Sequence, residues 1–284
     1  MKKITFILSF LLFSLVMSAQ QLYVASYNIR YNNPDDVAEG NGWNNRCPVI
    51  CDMINFEQPQ IFGTQEVLHN QLVDLLKGLD GYDYIGVGRD DGKEAGEYSA
   101  IFYKKDRFKL LDSGYFWLSE TPDKPSFGWD AACIRICTWG KFRDNETKFT
   151  FYFFNLHMDY LGVKARHEGA KLVISKMKDI AKDAPVIMTG DFNVDQESDA
   201  YKTFAASGLL KDCYEAAQQK FAVTGTFNDF GQDNPGPSRI DHVFVSPKFT
   251  VEHYGILTNS YWLGKTRRNP SDHYPVFVKL NYQK

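Results

Sequence analysis

The sequence predicts an α/β (α+β) domain in which mixed β-sheets are covered by helices, and three observations predict it. Short apolar runs rich in β-branched and aromatic residues alternate with amphipathic stretches over the first 80 residues. Further on, Ile134 to Phe142 and Lys148 to Phe154 flank the polar turn Arg143-Asp144-Asn145-Glu146-Thr147, the pattern of an antiparallel hairpin. Aromatic residues make up 15% of the chain, with 22 Phe and 16 Tyr, which favours strands. At 284 residues and 44% hydrophobic content the chain can bury a large core. It shows no linker and no repeat, so one domain is expected.

Taken in order, Leu22 to Tyr27 is a strand that ends in Asn28-Ile29-Arg30. A polar loop rich in Asn, Asp and Gly runs from Tyr31 to Asn45. Pro48 suits the first turn of a helix, whose apolar face is Val49, Ile50, Met53, Ile54 and Phe56 and which Pro59 stops. Ile61 to Thr64 is a short strand closed by Gln65-Glu66, and His69 to Lys77 a helix with Leu72, Leu75 and Leu76 inward. Tyr82 to Val87, Glu97 to Tyr103 and Phe108 to Trp117 read as strands, and Ser119 to Asp130 as a Pro-rich loop. Gly86-x-Gly88-x-x-x-Gly92 has the wrong spacing for a nucleotide loop and is a turn. Val163 to Lys182 is the clearest helix, with Ala170, Val173, Ile174, Met177, Ile180 and Ala181 at helical spacing. Val186 to Thr189 is a buried strand, followed by Gly190-Asp191-Phe192-Asn193 and a helix near Ser198 to Ala206. A loop from Asn228 to Ser238, strands at Ile240 to Val245 and Phe249 to Leu257, a basic loop with Lys265, Arg267 and Arg268, and a last strand from Tyr274 to Tyr282 complete the chain.

Residues 1–19 read as a secretory signal peptide. Lys2 and Lys3 form a charged start, Ile4 to Val16 is apolar but too short for a stable span, and Ser18-Ala19 offers a cleavage site. Residues 20–284 form the mature domain, which is expected to be exported to the periplasm or beyond, with no stable membrane anchor, and to be a monomer. Net charge is -3, so the chain carries no basic nucleic-acid footprint as a bulk property. The five cysteines, Cys47, Cys51, Cys133, Cys137 and Cys213, are odd in number and lack zinc-site spacing. They read as small buried hydrophobes, with Cys133 and Cys137 on one face of a strand.

Polar residues recur at strand ends. Asn28, Glu66, His157, Asp191 and Asn193 lie at or past the carboxyl ends of apolar strands, while Asp241 and Asp272-His273 lie at strand starts. Strands of opposite direction bring starts and ends to one sheet edge, where open sheets place their sites. Each residue alone has a plain explanation as a turn or cap residue. An acid-x-amide pair such as Asp191-Phe192-Asn193 also presents hard oxygen donors suited to Mg²⁺ and phosphate chemistry. No G-x-S-x-G and no G-x-x-x-x-G-K-[ST] occurs, so serine hydrolases and P-loop enzymes lack support.

Ser26-Tyr27-Asn28-Ile29-Arg30, Thr64-Gln65-Glu66, Asn155-Leu156-His157, Gly190-Asp191-Phe192-Asn193, Arg239-Ile240-Asp241-His242 and Ser271-Asp272-His273-Tyr274-Pro275-Val276 resemble the ordered motifs of the endonuclease/exonuclease/phosphatase (deoxyribonuclease-I-like) superfamily. The resemblance spans Asn28 to Val276. It implies a four-layer sandwich of two packed mixed sheets flanked by helices. It implies a metal-dependent phosphoric ester hydrolase, with Mg²⁺, or alternatively Mn²⁺, held by Glu66, Asn28 and Asp272. His273 would be the general base that activates water, oriented by Asp241. Asp191 and Asn193 would orient water and phosphate, with Asp191 also available to a second metal. His157 would contact the phosphate, paired with Glu97 in Gly96-Glu97-Tyr98.

Arg46, in Trp43-x-x-Arg46, is structural in this reading. Arg30, Arg135 and Arg166 are candidates for phosphate contact or support, with a solvated or packing role the favoured reading, while Phe116, Trp117 and Trp262 are candidates for substrate contact. The expected partner is a phosphate ester, whether a small molecule, a lipid headgroup or a nucleic acid. The alternatives are a nuclease, either a deoxyribonuclease or a 3′–5′ RNA exonuclease of the deadenylase kind, and a non-catalytic phosphate-binding module.

Overall fold

Strand polarity builds the molecule. The computed structural model describes residues 20–231 and 236–282, so the signal peptide assigned to 1–19 lies outside the described residues. In chain order the elements are β1 Gln20–Asn28, α1 Asp35–Ala38, α2 Trp43–Glu57, β2 Ile61–Gln65, α3 His69–Gly78, β3 Tyr82–Ile85, β4 Ile101–Lys104 and β5 Phe108–Trp117. Then come β6 Ile136–Asp144, β7 Thr150–His157, α4 Val163–Ala181, β8 Val186–Asp191, α5 Asp199–Ala205, β9 Lys211–Asp212, α6 Cys213–Ala216 and β10 Gln219–Phe221. The last are β11 Asp241–Val245, β12 Phe249–Ile256, β13 Tyr261–Leu263, β14 Thr266–Arg268 and β15 Val276–Tyr282.

One sheet has seven strands in the order β10-β12-β15-β1-β2-β4-β3, and the other has six in the order β5-β6-β7-β8-β11-β9. Both are mixed: β1 and β2 are parallel while β15 is antiparallel to β1, and β7 and β8 are parallel while β11 is antiparallel to β8. Three apolar layers separate four structural ones. Leu22, Val24, Ile61, Phe151, Phe153, Ile187, Val243 and Val278 fill the space between the sheets. Phe154, Met188, Val173, Met177 and Phe204 pack the second sheet against α4 and α5. Phe62, Phe102, Ile50, Ile54 and Leu72 pack the first against α2 and α3. Strands β8 and β11 are buried along their whole length, as central strands covered on both faces must be. Among the described residues no helix is long and apolar enough to cross a membrane.

The local differences from the sequence reading have identifiable causes. Helix α2 begins at Trp43, so Pro48 sits inside it. The buried Trp43 and Arg46 draw the preceding residues into the helix. The loop from Tyr31 to Asn45 contains the short α1. The strand read from Glu97 starts at Ile101, because Tyr98 instead pairs with Val67 as an isolated bridge. Cys133 precedes β6, so it does not share a strand face with Cys137, and all five cysteines are free thiols. Phe116 and Trp117 are core residues and not substrate contacts; Trp262 is exposed on the β13–β14 hairpin, which forms where a basic loop was expected.

Candidate active site

The site is assembled by register. Along β1 and β2 the pairing runs from Val24↔Ile61 to Asn28↔Gln65, so Asn28 and Glu66 leave the first sheet side by side. Strand β15 opposes β1 with Ser26↔Val276, which brings the preceding Asp272 and His273 to the same edge. In the second sheet His157 pairs with Asp191 and Asp191 with Asp241, a row across three neighbouring strands. The two edges meet. Asn28 donates through Nδ2 to Asp191 Oδ2 at 2.9 Å and to Glu66 Oε1 at 3.0 Å. His273 Nδ1 lies 2.8 Å from Asp241 Oδ2, and Phe227 stacks edge-on against its ring. Eight of the nine residues singled out in the sequence thus converge directly, drawn from both sheets and not from a single edge. Glu97 stands one contact further out.

Five of these groups, Glu66, Asp191, Asn193, Asp272 and His273, line a cleft of about 490 Å³ together with Arg30. Burial, followed by the neighbouring Asp241 carboxylate, pushes Asp191 up to about 7. Burial also raises Asp272 to about 6, with Glu66 adding to it. The two histidines diverge. Burial alone would lower His273, but Asp241, Asp191 and Asp272 outweigh it and hold the ring well above the ordinary histidine value. Burial lowers His157 far below that value, and the guanidiniums of Arg135 and Arg89 add to the effect. Titratable groups pushed apart within one site mark distinct acid–base roles.

The donor set suits a hard divalent cation. Ligand atoms of Glu66, His157 and Asp191 lie within 4.8 Å of one another, as do those of Asp191, Asp241 and His273. Carboxylates crowded together out of water are relieved by a cation, and their oxygens favour Mg²⁺ or Mn²⁺ over softer metals.

Two expected metal ligands are placed differently. The Asn28 oxygen accepts the Arg30 backbone N–H at 3.0 Å, so its NH₂ faces the acids and ties Glu66 to Asp191. Asp272 belongs to neither close group and faces Arg30 Nη1 at 3.5 Å. The Glu97 pairing also differs. Its carboxylate is bound by Arg89 and lies 3.9 Å from His157 Nδ1, while Arg135 Nη1 takes the 2.9 Å position on that nitrogen.

Support residues lie beneath. Arg46 is wholly buried and donates to five backbone oxygens, those of Ile29, Arg30, Tyr31, Asn41 and Pro270. It thereby fastens the turn after β1 to the segment that carries Asp272. Asn155 rivets the two sheets. Its Oδ1 accepts from Gln65 and Thr189, and its Nδ2 donates to the Thr64 and Ala100 oxygens. Gly63 permits this approach, since a Cβ there would meet Thr189 Oγ1 at 2.2 Å and Asn155 Oδ1 at 2.3 Å. The amide in the apolar run Phe151 to Leu156 was the sequence signal for this rivet. Arg166 donates to the Asp159 oxygen and supports the loop before α4.

The backbone is strained where the chemistry lies. Nine described non-glycine residues have positive φ, and five of them, Arg30, Glu66, Asn193, Asp229 and Phe230, line the cleft.

Two packed mixed sheets with an oxygen-rich, histidine-bearing cleft at one end define an α/β-sandwich protein with a hydrolase-type site. The Endonuclease/Exonuclease/phosphatase family profile matches residues 25–273, and the chain belongs to that family, whose members are hydrolases acting on phosphate esters. It is similar to a Bacteroides thetaiotaomicron protein of this family, with 52% identity, a TM-score of 0.91, and coverage of 94% of this chain and 99% of that one. It is also similar to a mannosyl-6-phosphatase of Bacteroides thetaiotaomicron, with 53% identity, a TM-score of 0.89, and coverage of 91% and 99%. A mimivirus protein, L388, is 26% identical over 253 residues, 83% of this chain and 91% of its own.

Proposed function

We propose that the protein is an exported, Mg²⁺-dependent phosphoesterase that releases phosphate from a small phosphomonoester, with a sugar phosphate as the substrate class. The buried His273–Asp241 pair at 2.8 Å, opening beside Glu66 and Asp191, is the observation that carries the reading. Glu66 and Asp191 would hold the cation, which would supply charge neutralisation at the phosphate and a more acidic bound water. The carboxylate of Asp241 accepts a hydrogen bond from His273 Nδ1–H and keeps that proton on the ring, so that in the neutral imidazole Nε2 is the base toward the cleft. His157 binds a phosphate oxygen, with Asn193 beside its ring at 2.9 Å, where a fixed donor in a dry site stabilises developing charge. Arg30 adds a cation at the cleft wall.

Likeness to the mannosyl-6-phosphatase supports a sugar phosphate. Charge supports it too. Asp35, Glu39 and Asp229 line the same cleft beside the Arg30–Asp36 ion pair, and carboxylates accept hydroxyl hydrogen bonds but repel a polyanion. Lys2, Lys3 and the apolar run after them support export, and their removal would take the net charge from -3 to -5.

The test is phosphate release by the mature protein from mannose 6-phosphate, glucose 6-phosphate, a chromogenic phosphodiester, single-stranded DNA and RNA, with Mg²⁺ and with EDTA. Metal-dependent turnover of the sugar phosphates is expected. Cleavage of nucleic acid alone would establish a nuclease instead, and binding without turnover on every substrate would establish a binding module.

A further inference from the structure

We propose that Arg135, and not Glu97, sets the proton on His157, holding the ring as its Nε2–H tautomer so that it donates a hydrogen bond to the ester phosphate. The inference takes from the proposed function only that a phosphate sits beside His157.

Arg135 lies just ahead of β6 and is 5% exposed, and its Nη1 stands 2.9 Å from His157 Nδ1. A guanidinium has donors and no acceptor in any orientation. Nδ1 must therefore offer its lone pair, and the ring proton belongs on Nε2. Glu97 is the group that would impose the opposite state, by accepting an Nδ1 proton. It stands 3.9 Å away and is engaged by Arg89. Arg135 is in turn fixed between acids, with Nη1 3.8 Å from Glu97 and Nε 3.9 Å from Asp159. Asp159 itself is immobilised by four backbone N–H donors, from Ala132, Cys133, Leu161 and Gly162.

On the other side of the ring, Nε2 faces Asp191 Oδ2 at 3.4 Å and the Asn193 amide at 2.9 Å. Two donors thus flank a ring that has one lone pair. The conflict resolves one way. A carboxamide can reverse by a half-turn to present its oxygen, here at the cost of the Asn193 Nδ2 bond to the Met158 oxygen at 3.0 Å, whereas a guanidinium has no acceptor to present. Asn193 therefore yields, and the Nε2–H points toward the phosphate position beside Asp191. His157 acts as a fixed N–H donor, and no proton leaves it during turnover. Arg135 is a positioning residue, acting through the histidine.

The experiment is long-range ¹H–¹⁵N correlation NMR on the mature protein labelled at histidine and held in Mg²⁺, with the His157 signal identified by its loss in His157→Gln. A protonated Nε2 with a bare Nδ1 is expected in the wild type and in Glu97→Gln. Arg135→Lys, which keeps a donor, should retain that tautomer. Arg135→Met should lose it and drop kcat by about 10- to 100-fold, the usual effect of removing a partner that orients a site histidine. An Nδ1–H tautomer or an imidazolium in the wild type would overturn the proposal, as would an unchanged signal in Arg135→Met. The tautomer is read without turnover. An inactive protein showing the expected tautomer would count against the phosphatase reading and leave the role of Arg135 standing.

Discussion

Asp241→Asn isolates the acid–base pair with almost no change in volume. Asp241 is fully buried, its Oδ2 holds His273 Nδ1 at 2.8 Å, and it does not line the cleft. The carboxylate keeps a proton on Nδ1, so once the ring is neutral Nε2 presents its lone pair beside Asp191, 3.7 Å away. An amide can donate to Nδ1 and move that proton to Nε2, which removes the base. Opposite unit charges at 2.8 Å attract by about 6 kcal/mol at an effective dielectric of about 20, which sets an upper limit of roughly four orders of magnitude in rate. General-base catalysis contributes about 10²- to 10⁴-fold. A drop in kcat of about 10³-fold is therefore expected, with KM within about threefold because substrate does not touch Asp241. The assay is initial-rate phosphate release at saturating Mg²⁺, with melting temperature as the folding control. Asp241→Asn combined with His273→Ala should be no slower than His273→Ala alone, since the two act as a unit. A variant that keeps more than about a tenth of wild-type kcat would refute the pairing.

Gly63→Ala should destabilise by several kcal/mol, on the order of the 1–3 typical of core overpacking or above, because its Cβ meets two riveting side chains; urea unfolding measures this, and an unchanged midpoint would count against the rivet. Asp159→Asn should lower the melting temperature by about 4–24 °C. One amide oxygen cannot serve four N–H donors, and the two left unpaired cost about 1–3 kcal/mol each, at about 2–4 °C per kcal/mol. Those donors outweigh burial and hold Asp159 below the usual aspartate value. Its contribution is therefore complete above the ordinary value near 3.8 and fades as pH falls through the depressed one. The gap between wild type and variant should stay constant from neutrality to about pH 4 and narrow only below it, and calorimetry showing a gap that closes at pH 6 would contradict this. Mg²⁺ should raise the wild-type melting temperature, and Glu66→Gln should weaken that response at least tenfold in midpoint concentration; an equal response would remove Glu66 from the metal site.

Most of the site was legible because it lies at strand ends. There a polar residue interrupts an apolar run, as at Asn28, His157 and Asp191, and the interruption shows in one dimension. The sheet layers followed from the same runs. Arg135 was harder to place, because it lies in a loop and its role depends on which nitrogen of a distant ring it meets. The Asn28 amide could not be oriented from sequence, since only the turn to Arg30 decides which end faces the acids. The start of α2 was misplaced because Pro48 is a local signal, whereas the burial of Trp43 and the five carbonyl bonds of Arg46 are tertiary effects.

The left-handed backbone at Arg30, Glu66 and Asn193 carries a consequence for how the protein drifts under mutation. Each such residue costs about 1 kcal/mol or more, and glycine would relieve it. Glycine at any of the three would therefore remove a cleft side chain and relieve backbone strain in one step. That relief is opposed by the bonds these side chains make, Glu66 accepting from the Tyr31 N–H, Arg30 donating to Asp36 and Asn193 donating to the Met158 oxygen.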